Sequence, residues 1–449
     1  MFGQNPQVIE QDVNGGARIN QSSVTSTPSI REHYHVIHEE VIKAIDPSVV
    51  VSLSASALEA RIAELVSEIV ISKQLPLGHS DVTHSVEQLL HEFLGLGPLQ
   101  HLIEDQTVTD IMVNGYREVY VERSGKLQKT TVQFRNEEQL LNLARRIVSK
   151  VGRRIDESNP LVDARLDDGS RVNVMIPPLA LDGTYISIRK FNENKLSLAQ
   201  LEGLGAMSKS MVKLIDIIVR SRLNVLVAGG TGAGKTTLLN AMSFSIPPQE
   251  RIITIEDTAE LRLQQPHVVR AETRPANAEG LTPITQRELV RNALRMRPDR
   301  IILGEVRGDE AFEMMQAMNT GHDGSLCTLH ANSAADALVR MENMLMMSQA
   351  TLPLFALRRQ IADTIDVVIQ VERMRDGKRR IVSITEVQGI ESEQYITHDL
   401  FTFDALSEDQ QGNIMGCYKS ARCVPHFNEK VRHHQLDKQL RAAMEVDVV

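Results

Sequence analysis

A chain of 449 residues with 42% hydrophobic and 24% charged residues can bury two or three ordinary cores, which excludes a wholly disordered protein and predicts a multidomain globular one. Its formal net charge of -9 offers no overall attraction to phosphate backbones, so non-specific nucleic-acid binding is disfavoured and no nucleic acid is expected as a partner. Cys327, Cys417 and Cys423 carry no CxxC spacing, which excludes a disulfide framework and a four-cysteine zinc site and fits a reducing compartment.

The start of the chain, Met1-Phe2-Gly3-Gln4-Asn5-Pro6, has no basic segment followed by an apolar core, and later apolar runs are all interrupted by charges. A cytosolic protein without a direct membrane span is therefore expected. Residues 1–30 are rich in Gly, Ser, Thr, Asn and Gln and hold too little apolar surface to offset the entropy of ordering, so they read as a flexible tail. Residues 31–95 place Leu58, Ile62, Leu65 and Ile69 at helical spacing, which predicts a small helical module. Within it, His33, His35, His38 and Glu39 form i,i+3 and i,i+4 pairs that read as a solvated helix face.

Residues 96–195 mix strand-like runs (Glu118 to Glu122, Val172 to Ile176, Tyr185 to Arg189) with a helical run around Leu140 to Val151. Asn114-Gly115, Asp168-Gly169 and Asp182-Gly183 supply the turns, so the stretch predicts an α+β domain. A linker is expected near Asn192 to Gly205. In the last segment, 196–449, the runs Val225 to Ala228, Ile252 to Ile255, Ile301 to Leu303 and Leu326 to Leu329 alternate with helix-like stretches, the pattern of an α/β fold with a parallel sheet and covering helices.

The strongest chemical signal is Gly229-Gly230-Thr231-Gly232-Ala233-Gly234-Lys235-Thr236, followed by Thr237. Its glycines let the backbone curl with N–H groups pointing inward. Lys235 brings a point charge to the β- and γ-phosphates of a nucleotide, and Thr236 offers a hydroxyl to Mg²⁺ at a helix N-terminus. The preceding strand Asn224 to Ala228 and the following Leu238-Leu239 helix supply the expected context, so ATP and Mg²⁺ are the expected cofactors.

Hydrolysis needs carboxylates beside that loop. Ile301-Ile302-Leu303-Gly304-Glu305 and Arg251-Ile252-Ile253-Thr254-Ile255-Glu256-Asp257 are apolar strands ending in acids, which a parallel sheet places at its carboxyl edge. Glu305 is expected to be the catalytic carboxylate and Glu256, with Thr236, to hold Mg²⁺ partly through water. His322 and His330 flank the run Gly324 to Leu329 and are candidates to sense the γ-phosphate, although an isolated histidine is more often structural. Arg165, Arg171 and Arg189 surround the strand-like runs before the linker. They are candidates to meet developing phosphoryl charge from another domain or subunit.

The ordered motifs carry a resemblance. The phosphate loop is followed by Thr254-Ile255-Glu256-Asp257-Thr258-Ala259-Glu260, then Leu294-Arg295-Met296-Arg297-Pro298-Asp299, then Gly304-Glu305-Val306-Arg307, then Asn319 to Gly324 and Thr328-Leu329-His330-Ala331-Asn332. This order resembles the secretion ATPase superfamily of type II and type IV systems, over about Leu94 to Phe427, and within it the CpaF/TadA branch that powers assembly of tight-adherence (Flp) pili. The resemblance implies a RecA-like P-loop motor domain with a parallel-rich sheet, preceded by a PAS-like α+β domain and the helical module. It makes Glu256 and Asp257 the Asp box, Glu305 the Walker B acid, His322 and His330 the His box, and Arg171 and Arg189 phosphate-contacting arginines.

It further implies a cytoplasmic homohexamer, recruited peripherally to the inner membrane, that hydrolyses ATP and acts on an inner-membrane platform protein to move pilin. Gly304 stands where the usual Walker B strand has an acid, which bears against direct metal coordination there. The absent paired CxxC insertion bears against the type II and classical pilus-extension ATPases as near relatives. The alternatives are a DNA-translocating or conjugative motor of the same superfamily, against which the net charge argues, and a nucleotide-sensing scaffold that binds ATP without turnover.

Overall fold

The computed structural model describes residues 28–45, 54–123, 125–191, 196–274, 282–348 and 352–445. Residues 1–27 of the expected tail lie outside that set, and its last three residues open a helix. The chain divides into two compact units, Met1–Lys190 and Phe191–Val449.

In the first unit, α1 (Pro28–Ala44), α2 (Ala55–Ser72) and α3 (His79–Phe93) bury Ile37, Val41, Leu58, Ile62, Val66 and Leu89 against one another. Ser54 starts α2 as an N-cap, its hydroxyl accepting from the Ala57 amide at 3.3 Å and satisfying one of the orphan donors of the first turn. His35 and Glu39 lie on the solvated face as expected, 3.4 Å apart and both exposed. His38 does not. It is 5% exposed, with the Arg135 guanidinium 2.7 and 2.8 Å from its two ring nitrogens and Glu92 3.1 Å away. Arg135 also donates to Glu92 at 3.0 Å, and Arg146 donates to the Gly95 carbonyl at 2.7 Å. These bonds fasten the helical module to the segment that follows it.

That segment runs through α4 (Gln100–Glu104), β1 (Val108–Asn114), β2 (Glu118–Arg123), β3 (Lys126–Lys129), α5 (Glu137–Lys150), β4 (Leu161–Arg165), β5 (Arg171–Met175) and β6 (Tyr185–Arg189). The strands pair antiparallel in the order β3-β2-β1-β6-β5-β4. Alternation explains the layer. Val172, Val174, Ile186 and Ile188 point to one face and pack with Leu140, Leu143, Ala144 and Ile147 of α5, so the intervening polar residues face the other way.

The second unit begins with α6 (Leu198–Gly203) and α7 (Lys209–Arg220). The expected linker is thus partly helix: Ser197 caps α6 in a reciprocal pair with Gln200, and Leu198 and Leu201 enter the unit's core. Asn192–Lys195 lie outside the described residues. Next come β7 (Val225–Gly229), α8 (Lys235–Ser243), β8 (Ile252–Glu256), β9 (Val268–Glu272), α9 (Gln286–Ala293), β10 (Arg300–Val306), α10 (Glu310–Asn319) and β11 (Leu326–Leu329). They are followed by α11 (Ala334–Ser348), α12 (Leu354–Thr364), β12 (Val367–Arg373), β13 (Arg379–Glu391), β14 (Gln394–Glu408), β15 (Ile414–Ser420), α13 (Asn428–His433) and α14 (Asp437–Glu445).

The sheet order is β15-β14-β13-β12-β7-β11-β10-β8-β9. From β12 to β9 the neighbours run parallel; β13, β14 and β15 extend the sheet antiparallel. Strand β7 is buried on both faces: Val225 and Val227 join one core cluster, Leu226 and Ala228 the other. A run that must satisfy two cores has no polar alternation, which is why these strands read as continuous apolar stretches. At the amino edge of the sheet Arg300 is wholly buried and bonds Glu250 through Nε at 2.5 Å and Nη2 at 3.2 Å, while Nη1 donates to the Gly324 carbonyl at 3.2 Å.

Candidate active site

The carboxyl ends of β7, β8, β10 and β11 converge on one edge, and every chemical group of the second unit's candidate site hangs from them. Strand β7 leads into the loop, and Gly232 (φ 69°) and Gly234 (φ 100°) take left-handed conformations before α8 begins at Lys235. At Gly234 a side chain would be strained in backbone and would meet the Arg379 side chain. Lys235 is 8% exposed, and its ammonium curls back onto its own loop, donating to the carbonyls of Gly229 at 2.9 Å and Gly230 at 3.0 Å. Those carbonyl oxygens hold the charge that phosphate oxygens would hold, so the loop fits a nucleotide polyphosphate.

Glu305, near the end of β10, lies between two cationic or proton-bearing partners. His330 Nε2, just past β11, is 2.6 Å from Glu305 Oε1 and 3.4 Å from Lys235 Nζ. Arg307 Nε donates to Glu305 Oε2 at 2.9 Å, and Arg307 Nη1 stands 3.6 Å from Asp257. Burial, reinforced by the Lys235 charge, lowers the His330 pKa below its ordinary value, against the opposing pull of Glu305. Both contacts fall on the one ring nitrogen, Nε2, so the imidazole stands against lysine and carboxylate together and is placed to respond to a new anion.

Glu256 closes β8 and is 3% exposed. Its Oε1 accepts from the Glu260 amide at 2.8 Å and the Leu261 amide at 3.0 Å, while Oε2 is buried without a hydrogen-bond partner among the described residues. Burial pushes its pKa up to about 7, only partly offset by the two amides. Gly304 explains the fit: a Cβ there would lie 2.7 Å from Glu256 Cγ. The acid absent from the strand position before Glu305 is therefore replaced in space by the side chain of Glu256. Thr236 Oγ1 points to Glu260 Oε2 at 3.4 Å, a carboxylate that the sequence names only as part of a motif. Thr236 and Glu260 are oxygen donors of the kind that suits a hard divalent cation keeping part of its water, and Glu256 Oε2 is a further buried oxygen at this sheet edge.

The structure brings Gly229 through Thr237, Glu256, Glu305 and His330 to one edge. It does not bring His322 there. His322 precedes β11, at the opposite edge of the sheet, where its Nδ1 lies 3.2 Å and its amide 3.3 Å from the Ala317 carbonyl at the end of α10; within the chain it closes a helix end. Arg171 and Arg189 belong to the first unit, where β5 and β6 set them directly opposite each other. Arg165 pairs with Arg171 on β4 in the same way, so three guanidiniums cross adjacent strands on the face away from α5. Sequence reasoning missed Arg373 and Arg379 altogether. Arg379 Nε donates to the Gly232 carbonyl at 2.9 Å.

A parallel α/β sheet with a phosphate loop after its central strand, and a carboxylate and a histidine on the neighbouring strand ends, defines a RecA-like P-loop ATPase, an ATP-hydrolysing enzyme. A family profile described as type II/IV secretion system protein matches residues 92–415, and the chain belongs to that family. A putative conjugal transfer protein of Mycobacterium tuberculosis is 39% identical over 321 residues, covering 70% of this chain and 91% of that one. The type IV secretion system protein VirB11 of Bartonella henselae is 32% identical over 327 residues, covering 64% and 91%. Among solved structures, the VirB11 ATPase from the Brucella suis type IV secretion system, in complex with sulphate, shares 30% identity, covers 64% of this chain and 95% of that one, and has a TM-score of 0.35. Among the described residues no helix is long and apolar enough to cross a membrane.

Proposed function

We propose that the chain is the ATP-driven motor of a secretion machine of the conjugative or type IV kind, working as a ring on a membrane-embedded partner. The observation that carries the reading is the Lys235–His330–Glu305 cluster at the phosphate loop, which would set a nucleotide's terminal phosphate beside the strand-end carboxylate. Lys235 holds the β- and γ-phosphates, Glu305 orients and deprotonates water, and His330 links the two. Bound Mg²⁺ would neutralise phosphate charge, with Thr236 as a direct ligand and Glu256 and Glu260 on its water. Arg171 and Arg189 complete the site from a neighbouring subunit of a homohexamer.

The net charge that argued against a conjugative motor describes the whole surface, and a motor that pushes on a membrane partner needs no nucleic-acid contact of its own. The relatives named for conjugal transfer and type IV secretion support this reading. The second reading is the tight-adherence pilus motor, favoured by the motif order together with three cysteines that carry no CxxC pair. Replacing the chromosomal copy with Lys235→Ala tests both. Loss of ATPase activity with loss of DNA or protein transfer supports the first reading, and loss of surface pili and pilin export with transfer intact supports the second. ATP turnover equal to wild type rejects the site.

A further inference from the structure

Residues Glu372 to Arg380 form a basic stretch, Glu-Arg-Met-Arg-Asp-Gly-Lys-Arg-Arg, in a protein of net charge -9. It spans the end of β12, a tight turn and the start of β13. Arg380 is consumed by structure: it is 5% exposed and bonds Asp376 at 3.1 and 2.8 Å, which holds the Asp376 carboxyl down at about 2. That pair fixes the turn and orients the rest of it.

Strand β12 runs parallel to β7 with Val371 beside Gly229, so close that a Cβ on Gly229 would collide with the Val371 carbonyl. The hairpin therefore leaves the sheet alongside the phosphate loop. Arg373 and Arg379 are cross-strand partners at its mouth. Arg379 Nε reaches the Gly232 carbonyl at 2.9 Å, its Cδ lies 3.2 Å from where a Cβ on Gly234 would stand, and Arg373 Nη1 lies 3.8 Å from the same point on Gly232. Both cations thus sit on the phosphate loop.

Their side of the loop matters. In the sheet, β7 has β12 on one flank and β11, then β10, on the other. Lys235, His330 and Glu305 meet on the β11 and β10 flank. That flank takes the terminal phosphate, because the lysine of such a loop reaches the β- and γ-phosphates. A nucleotide whose terminal phosphate is taken there would leave the β12 flank to its other end.

We propose that Arg373 and Arg379 form a second cationic wall of the nucleotide site, binding the α-phosphate and ribose end of a nucleoside di- or triphosphate. Planar guanidiniums suit that task, since each can donate two parallel bonds to phosphate oxygens. The wall grips ATP and ADP alike, whereas the lysine and carboxylate flank distinguishes them.

The test uses the full-length protein with Arg373→Ala, Arg379→Ala, Arg379→Lys and, as a control on the turn, Lys378→Ala. ATP and ADP affinities are measured by titration with fluorescent analogues and by competition with the unlabelled nucleotides, and turnover is measured across ATP concentrations. Each arginine-to-alanine variant is expected to weaken ATP and ADP by the same factor, about tenfold or more as for a lost charge-assisted bond. Turnover at saturating ATP should stay within about twofold of wild type, the signature of lost uniform binding. Arg379→Lys should recover part of the affinity, and Lys378→Ala should match wild type. If Arg379→Ala does not fold, as read by its thermal melt, Arg373→Ala and Arg379→Lys carry the test. Unchanged affinity for both nucleotides overturns the wall. A loss confined to ATP overturns its placement, because it would put the arginines at the γ-phosphate.

Discussion

The side chain of Glu256 lies across the backbone of Gly304, in space that a Cβ at residue 304 would fill to within 2.7 Å of Glu256 Cγ. Position 304 therefore belongs to Glu256 as much as to its own strand. Gly304→Ala should displace the Glu256 carboxylate while leaving the phosphate loop intact. Turnover is expected to fall about tenfold or more, as for a misplaced catalytic group, with ADP affinity close to wild type. Steady-state hydrolysis together with an ADP titration checks this. Full turnover in the alanine variant would show that Glu256 does not need that position.

The raised pKa of the same carboxyl makes stability depend on pH. Glu256 rises from 4.5 to about 7 on burial, so between those values the unfolded chain has released a proton that the folded chain still holds. Stability must then fall as pH climbs from about 4.5 to about 7 and level off above. The span corresponds to a few kcal/mol, on the order of 3 at most. Melting temperatures of wild type and Glu256→Gln across that window decide it: the glutamine variant should lose this component of the slope. Parallel curves would mean that the carboxyl is ionised in the folded protein throughout.

Glu305 lies 2.6 Å from His330 and accepts from Arg307 at 2.9 Å. Glu305→Gln should keep ATP binding yet turn over about a hundredfold or more slowly, the loss expected when a general base is removed. Single-turnover hydrolysis with bound ATP separates the steps. Surviving hydrolysis with weakened binding would transfer the catalytic role to another group.

The amino edge of the motor sheet tests stability rather than chemistry. Arg300 is wholly buried, and Glu250 is its carboxylate partner. Glu250→Ala strands a guanidinium in the core, at a cost of about 3–5 kcal/mol. Denaturant unfolding of the second unit's transition is the measurement, and a change below about 1 kcal/mol would show that the Gly324 carbonyl holds Arg300 without Glu250.

The parts of this fold visible in the sequence are those whose pattern is local. Strands β7, β10 and β11 announce themselves because two cores demand unbroken apolar runs, and the phosphate loop because its spacing is contiguous. The β13–β15 extension escaped because its strands lack the strict alternation that marks a half-buried strand: β13 buries Arg380 and Glu386 among its apolar residues, and β14 and β15 are mostly exposed or half-buried. Strand β9, an edge strand with charges at Arg270 and Glu272, escaped for want of an apolar run. His38 reads as a surface residue from its neighbours, yet its partner Arg135 is 97 residues away. Arg379 reaches the phosphate loop from 147 residues downstream. No periodicity encodes such pairs. His322 misled for the opposite reason: it and His330 are close in sequence, but a strand lies between them and delivers them to opposite edges of the sheet.

Assembly gives the sharpest test of the proposed ring. Arg171 and Arg189 face each other across β5 and β6, with Arg165 next in line on β4, so the first unit presents a row of cations across three strands on the sheet face away from α5. If that row serves the phosphate loop of a neighbouring subunit, a lone subunit has an incomplete site and specific activity must rise with protein concentration. Arg189→Ala and Lys235→Ala should each be nearly inactive, for different reasons. Mixed in equal amounts with subunit exchange, they place a wild-type loop against a wild-type arginine at about a quarter of the junctions. Activity should return toward that fraction in the mixture and nowhere else. A mixture as inactive as its parts, together with concentration-independent turnover by a stable monomer, would show that each chain builds its site by itself and would leave the arginine row to another task.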